Sequence, residues 1–167
     1  VPAKIDLKDL PATQAAAYAL GLSGIADVAA WKIGGANPWS QRVFHNTELF
    51  FGPLAPEEVV VETPKLAISG LYAPLAEPEI MVQLGVAQAG AAADQFVAMG
   101  LGFEIPASVL PQDVKGILRG QIADRAGAGA LWVGAVQPLD AARLETKFTF
   151  HFGHNDAAPV EGYSDVI

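Results

Sequence analysis

Two carboxylates stand two residues apart in the apolar stretch Leu75-Ala76-Glu77-Pro78-Glu79-Ile80-Met81-Val82-Gln83-Leu84. Read as a strand, the stretch puts Glu77 and Glu79 on one face, with Cα atoms about 7 Å apart. Like charges beside a run that favours burial repel unless something neutralises them. A hard divalent cation with oxygen ligands does this economically. A third carboxylate, Glu104 in Gly102-Phe103-Glu104-Ile105-Pro106, is also flanked by apolar residues and is expected to complete the set. Lys32 is the one charge inside the short apolar segment Val28–Ile33. A buried ammonium calls for a carboxylate partner or a depressed pKa, whereas a surface lysine simply extends its amine to solvent. Both readings of Lys32 stay open on the residue alone.

The elements that must position these groups are legible in outline. Pro11–Leu20 reads as an Ala-rich helix with proline in its first turn, stopped by Ser23-Gly24. Val28–Ile33 is expected as a buried strand closed by Gly34-Gly35, and Asn37–Ser40 as a turn leading into a polar loop or short helix to Leu49. Leu49–Leu54 is expected as apolar core with a turn, and Val59-Val60-Val61 marks a strand within Glu57–Leu66. Gly85–Gly90 is turn-like, Ala91–Met99 is expected as a second helix, and Glu104–Ser108 as the opening of an extended segment. Pro111–Gln121 reads as a loop with a short helix that carries Lys115 and Arg119 on one solvated face. Gln121–Gly134 is a Gly/Ala turn feeding a strand; it lacks the Gly-Lys-Ser/Thr ending of a phosphate loop, and its strand follows the glycines instead of preceding them. Lys147–Phe152 alternates three Phe against Lys147, Thr149 and His151, as a half-exposed strand does. His151 and His154 are a weak metal pair, with no further ligand type close by. Strands outnumber helices about two to one, which predicts an α+β, mainly β domain over residues 1–167.

Bulk composition narrows the function classes. The chain has 167 residues, 51% hydrophobic and 17% charged, as suits a well-buried fold. A net charge of −8 with only ten basic residues makes nucleic acid and anionic membranes poor partners. The absence of cysteine removes disulfides, thiolate catalysis and cysteine-type zinc sites, and fits a cytoplasmic location. No run of about 18 apolar residues is present to form a spanning helix.

In this order, Trp31-Lys32-Ile33-Gly34-Gly35, Glu77-x-Glu79 and Glu104-Ile105-Pro106-Ala107-Ser108 resemble the fumarylacetoacetate hydrolase superfamily, nearest its 2-keto-4-pentenoate hydratase and 4-oxalocrotonate decarboxylase branch. Ala15–Leu20 resembles the helix that precedes the lysine motif there, and Ile122–Ala130 resembles its "xADNASSG" stretch. The resemblance implies a mixed β-sandwich roll of the superfamily's C-terminal-domain type. It implies Mg²⁺ (or Mn²⁺) held by Glu77, Glu79 and Glu104, with Glu77 and Lys32 as catalytic residues. Lys32 would line the pocket, and Gly34, Ser108 and Asp124 would join it in binding substrate.

The implied activity is a metal-dependent hydro-lyase that adds water to a short 2-hydroxy-2,4-dienoate in aromatic-compound catabolism. The alternatives are a 2-oxo-acid decarboxylase or acylpyruvate-type hydrolase on the same site, and a non-catalytic partner subunit. A homo-oligomer or a complex with a related decarboxylase is expected. The chain departs from the branch pattern at Gly34-Gly35-Ala36-Asn37, Phe50-Phe51-Gly52 and Ala126–Gly129, where polar side chains are replaced. It also begins at Val1 and stops at Ile167, so the resemblance implies either a minimal relative or a sequence incomplete at both ends.

Overall fold

The computed structural model describes residues 12–46, 48–85, 96–140, 142 and 145–164. The elements run α1 (Ala12–Leu22), β1 (Ala30–Gly34), α2 (Pro38–Phe44), β2 (Phe50–Leu54), a 3₁₀ turn (Pro56–Glu58), β3 (Val59–Val61), β4 (Glu77–Leu84) and β5 (Phe96–Pro106). They continue with α3 (Gln112–Lys115), α4 (Leu118–Ala123), a tight turn (Arg125–Gly127), β6 (Ala128–Pro138), β7 (Thr149–Phe152) and β8 (Val160–Tyr163). This is a mixed α+β arrangement dominated by strands. The strands form two two-stranded sheets, β1-β2 and β7-β8, and one four-stranded sheet in the order β3-β6-β5-β4.

The chain divides into two compact units, Val1–Glu79 with Leu101–Ala135, and Ile80–Gly100 with Val136–Ile167. The first unit buries Ala17 and Tyr18 of α1 against Phe50, Ile122 and Ala126, with Phe44 meeting Phe50 edge-on at a centroid distance of 5.3 Å. Tyr18 also accepts a hydrogen bond from the Phe51 backbone N–H at 3.0 Å, which fixes α1 to β2. Burial of the phenol pushes its pKa up, against the smaller effect of that hydrogen bond. In the second unit, β7 and β8 pair antiparallel with His151 opposite Glu161. Phe150 and Phe152 are half-buried and His151 is exposed, as the alternation predicts.

Several expectations change. Asn37 to Ser40 begin a helix: the Asn37 side chain accepts from Ser40 N at 2.9 Å and Pro38 occupies the first turn, so a capped start replaces the expected turn. Phe50–Leu54 of the expected Leu49–Leu54 segment forms strand β2 despite Gly52-Pro53; among the described residues it pairs with β1 alone, and proline is tolerated on such an edge. The expected helix over Ala91–Met99 is corrected at Phe96–Met99, which open strand β5; residues 91–95 lie outside the described residues. β5 is an interior strand flanked by β6 and β4, and a strand apolar on both faces cannot be told from a buried helix by periodicity. The strand signal in Glu57–Leu66 is realised over Val59–Val61, paired parallel with β6. Lys115 and Arg119 fall in separate helices, because α3 ends at Gly116.

Candidate metal centre

β4 carries Glu77 and Glu79 with Ile80 and Val82 among its apolar residues, and β5 carries Glu104 between the apolar Phe103 and Ile105. The two strands are neighbours in the sheet, and Leu75 N donates to Pro106 O at 3.1 Å, fastening the chain just before β4 to the end of β5. One carboxylate oxygen from each of Glu77, Glu79 and Glu104 lies within 4.8 Å of the others, the only such group of three among the described residues. Lys32 on β1 places its Nζ 2.5 Å from Glu104 Oε1, with side-chain exposures of 13% and 8%. That settles the open reading of Lys32: its amine turns inward onto a carboxylate.

The electrostatics are those of an under-neutralised cluster. Burial pushes the Glu104 carboxyl up, offset in part by the Lys32 charge, with Glu77 adding repulsion. Glu79 is raised to about 7, by burial first and then by Glu104 and Glu77, with Lys32 opposing. The Glu79 residue is exposed overall, but its carboxyl points into this crowded group. Glu104 Oε1 is buried against Lys32 Nζ, whose charge and hydrogen bond both stabilise the carboxylate. Three carboxylates and one ammonium leave two negative charges uncompensated. A hard divalent cation fits that donor set.

The other predicted residues are held by different contacts. Gly34 ends β1 under the Phe50 ring, which fills the volume a side chain on Gly34 would need. Ser108 accepts from Leu110 N at 3.2 Å in a local turn after β5. Asp124 caps the end of α4, and its Oδ2 is buried without a hydrogen-bond partner.

Sequence reasoning missed Arg125, Glu58 and Gly52. Arg125 Nη1 lies 2.6 Å from Glu58 Oε2, and Gly52 sits directly opposite Lys32 in the β1-β2 ladder. Arg125 and Ala126 take φ of 54° and 57°, a left-handed conformation that costs non-glycine residues on the order of 1–3 kcal/mol each. The position of Arg125 next to Asp124 in the resembling stretch was the one available signal.

This architecture is shared with solved structures. The chain matches 4-oxalocrotonate decarboxylase from Pseudomonas putida G7 complexed with magnesium and adipate, with TM-score 0.65 and 18% identity over 80% of this chain and 52% of that one. It matches the same enzyme complexed with calcium and acetate with TM-score 0.63 and 17% identity over the same shares. The chain thus spans about half the length of these structures, and at this identity the likeness establishes the fold. No family model matches the chain, and no curated protein matches it.

Proposed function

We propose that this chain carries the metal centre of a fumarylacetoacetate hydrolase-type enzyme acting on a short 2-oxo or 2-hydroxydienoic acid. The observation that carries this reading is the convergence of Glu77, Glu79 and Glu104 within 4.8 Å, with Lys32 against Glu104. Glu77, Glu79 and Glu104 would hold Mg²⁺, with Mn²⁺ as a substitute. When bound, the dication supplies Lewis-acid stabilisation of negative charge developing on the substrate. Lys32 Nζ, screened from water and next to the carboxylates, would hold and move a proton at the substrate's reacting carbon or oxygen. Glu77, one of the two exposed members of the cluster, would be the second proton-handling group. Asp124, with a buried carboxylate oxygen that has no hydrogen-bond partner, would accept from a substrate hydroxyl, and the Ser108 hydroxyl would donate to the substrate's carboxylate. Hydration of a 2-hydroxy-2,4-dienoate is the first reading of the reaction.

A second reading, decarboxylation of a 2-oxo acid, is favoured by the identity of the two structural neighbours, both 4-oxalocrotonate decarboxylase. The replacement of polar residues by Ala126, Gly127 and Ala128 also leaves fewer groups to steer a water. Calorimetric titration of Mg²⁺, with and without oxalate as a mimic of a chelating 2-oxo acid, tests the centre. Binding that tightens with oxalate and is lost in Glu79→Ala supports it, and a folded protein that binds no Mg²⁺ refutes it. Product analysis then separates the readings, as released CO₂ against a hydrated acid.

A further inference from the structure

The turn Arg125–Gly127 holds three consecutive residues at positive φ, two of them not glycine. Such a conformation persists only where its surroundings over-determine it, and Arg125 supplies much of that restraint itself. Its Nη1 donates to Glu58 Oε2 at 2.6 Å and to Pro53 O at 3.5 Å, and its Nη2 donates to Ala128 O at 3.3 Å. Glu58 Oε2 also accepts from Ala55 N at 2.9 Å, so one ion pair gathers the end of β2, the 3₁₀ turn and the start of β6. A planar guanidinium is suited to bridging several acceptors in fixed directions.

Two sides of the turn then reach the two partners of the Lys32–Glu104 pair. The Arg125 carbonyl oxygen occupies the space where Gly52 has no side chain, and Gly52 is the residue across the ladder from Lys32. On the other side, Gly127 O accepts from Ala107 N at 2.8 Å, just beyond the end of the strand that carries Glu104. The turn is a wedge between the hairpin bearing Lys32 and the strand bearing Glu104.

We propose that Arg125, locked by Glu58, is a positioning residue that sets the separation of Lys32 from Glu104 and so the readiness of the carboxylate cluster for a dication. Its action runs through the backbone of the turn. The readiness for a dication rests on the function proposed above; the setting of the Lys32–Glu104 separation does not.

Mg²⁺ affinity is measured for the full chain and for Arg125→Met, Arg125→Lys and Glu58→Gln, beside Ala17→Gly, a destabilising control in α1. Outer groups that orient metal ligands change affinity by about 10- to 100-fold. Arg125→Met and Glu58→Gln are expected to weaken Mg²⁺ binding about tenfold, Arg125→Lys to recover part of that loss, and Ala17→Gly to leave binding unchanged. Wild-type affinity in both Arg125→Met and Glu58→Gln, or an equal loss in Ala17→Gly, overturns the proposal. Should Arg125→Met not fold, Arg125→Lys and Glu58→Gln decide on the same criteria. Should wild-type protein bind no Mg²⁺, the metal reading fails, and positioning is judged from unfolding of Lys32→Met, Glu58→Gln and their double variant. Residues without a shared contact normally act additively. Positioning predicts a coupling of at least about fivefold in the unfolding equilibrium constant, and additivity within about twofold refutes it.

Discussion

Replacing Lys32 by Met keeps most of the side-chain volume and removes only the ammonium that faces Glu104. The two side chains are 13% and 8% exposed and 2.5 Å apart, so this is a buried pair and not a surface contact. Breaking such a pair by deleting one partner leaves a stranded charge and typically costs 3–5 kcal/mol. Glu104 can escape part of that cost by taking a proton, which burial already favours. Lys32→Met is therefore expected to lose about 3 kcal/mol at pH 8 without metal, and clearly less at pH 5.5, where Glu104 is more readily neutral. For a chain of this size that is a fall of about 10 °C in Tm at the higher pH. Lys32→Met/Glu104→Gln should recover most of the loss, because no charge is then stranded. The assay is urea unfolding followed by tryptophan fluorescence, which reports the first compact unit because Trp31, Trp39 and Trp132 all lie in it. A loss below about 0.5 kcal/mol at pH 8, or a loss that does not shrink at pH 5.5, or a double variant no better than the single, refutes the pairing and its energetics.

Other outcomes follow from the same geometry. Glu79→Gln is expected to weaken Mg²⁺ binding at least tenfold by calorimetry, and wild-type affinity should rise as pH increases through about 7, where the proton on Glu79 stops competing. In metal-free protein the native state keeps that proton while the unfolded chain releases it from about pH 4.5, so stability should fall as pH rises between 4.5 and about 7. Solvent screening of Glu79 trims the effect to about 1 kcal/mol, and saturating Mg²⁺ should remove it, both read from Tm against pH. Gly52→Ala drives a methyl group into the Arg125 carbonyl oxygen, which sits on backbone that cannot swing aside; a loss of about 3 kcal/mol is expected in urea unfolding.

The carboxylate set was legible because its signal is local. Glu77 and Glu79 alternate with Pro78 on one strand, and a period of two fixes their common face without knowledge of any partner strand. Glu104 stood out by being charged in an apolar run, and it is indeed buried. The same locality misled at Phe96–Met99, where apolar residues on both faces of an interior strand imitate a helix, and at Asn37–Ser40, where helix-capping residues imitate a turn. Lys32 was ambiguous because its fate depends on a carboxylate more than seventy positions away. Arg125 had only its place beside Asp124 as a signal, and Glu58 and Gly52 had none: nothing in Glu57-Glu58 marks one glutamate for a distant arginine, and the need for glycine at 52 arises only when another segment's carbonyl is laid against it.

The sequence by itself determined the strand-rich composition, the acidic pair on one strand face and the third carboxylate in an apolar run, all consequences of residue type and short-range periodicity. The tertiary structure decided that the three carboxylates meet within 4.8 Å, that Lys32 turns onto Glu104, and that a strained arginine turn packs against Gly52, opposite Lys32, and against Ala107, just past β5. Those facts rest on long-range pairing, whose energy comes from burial and charge neutralisation between segments that no local pattern relates.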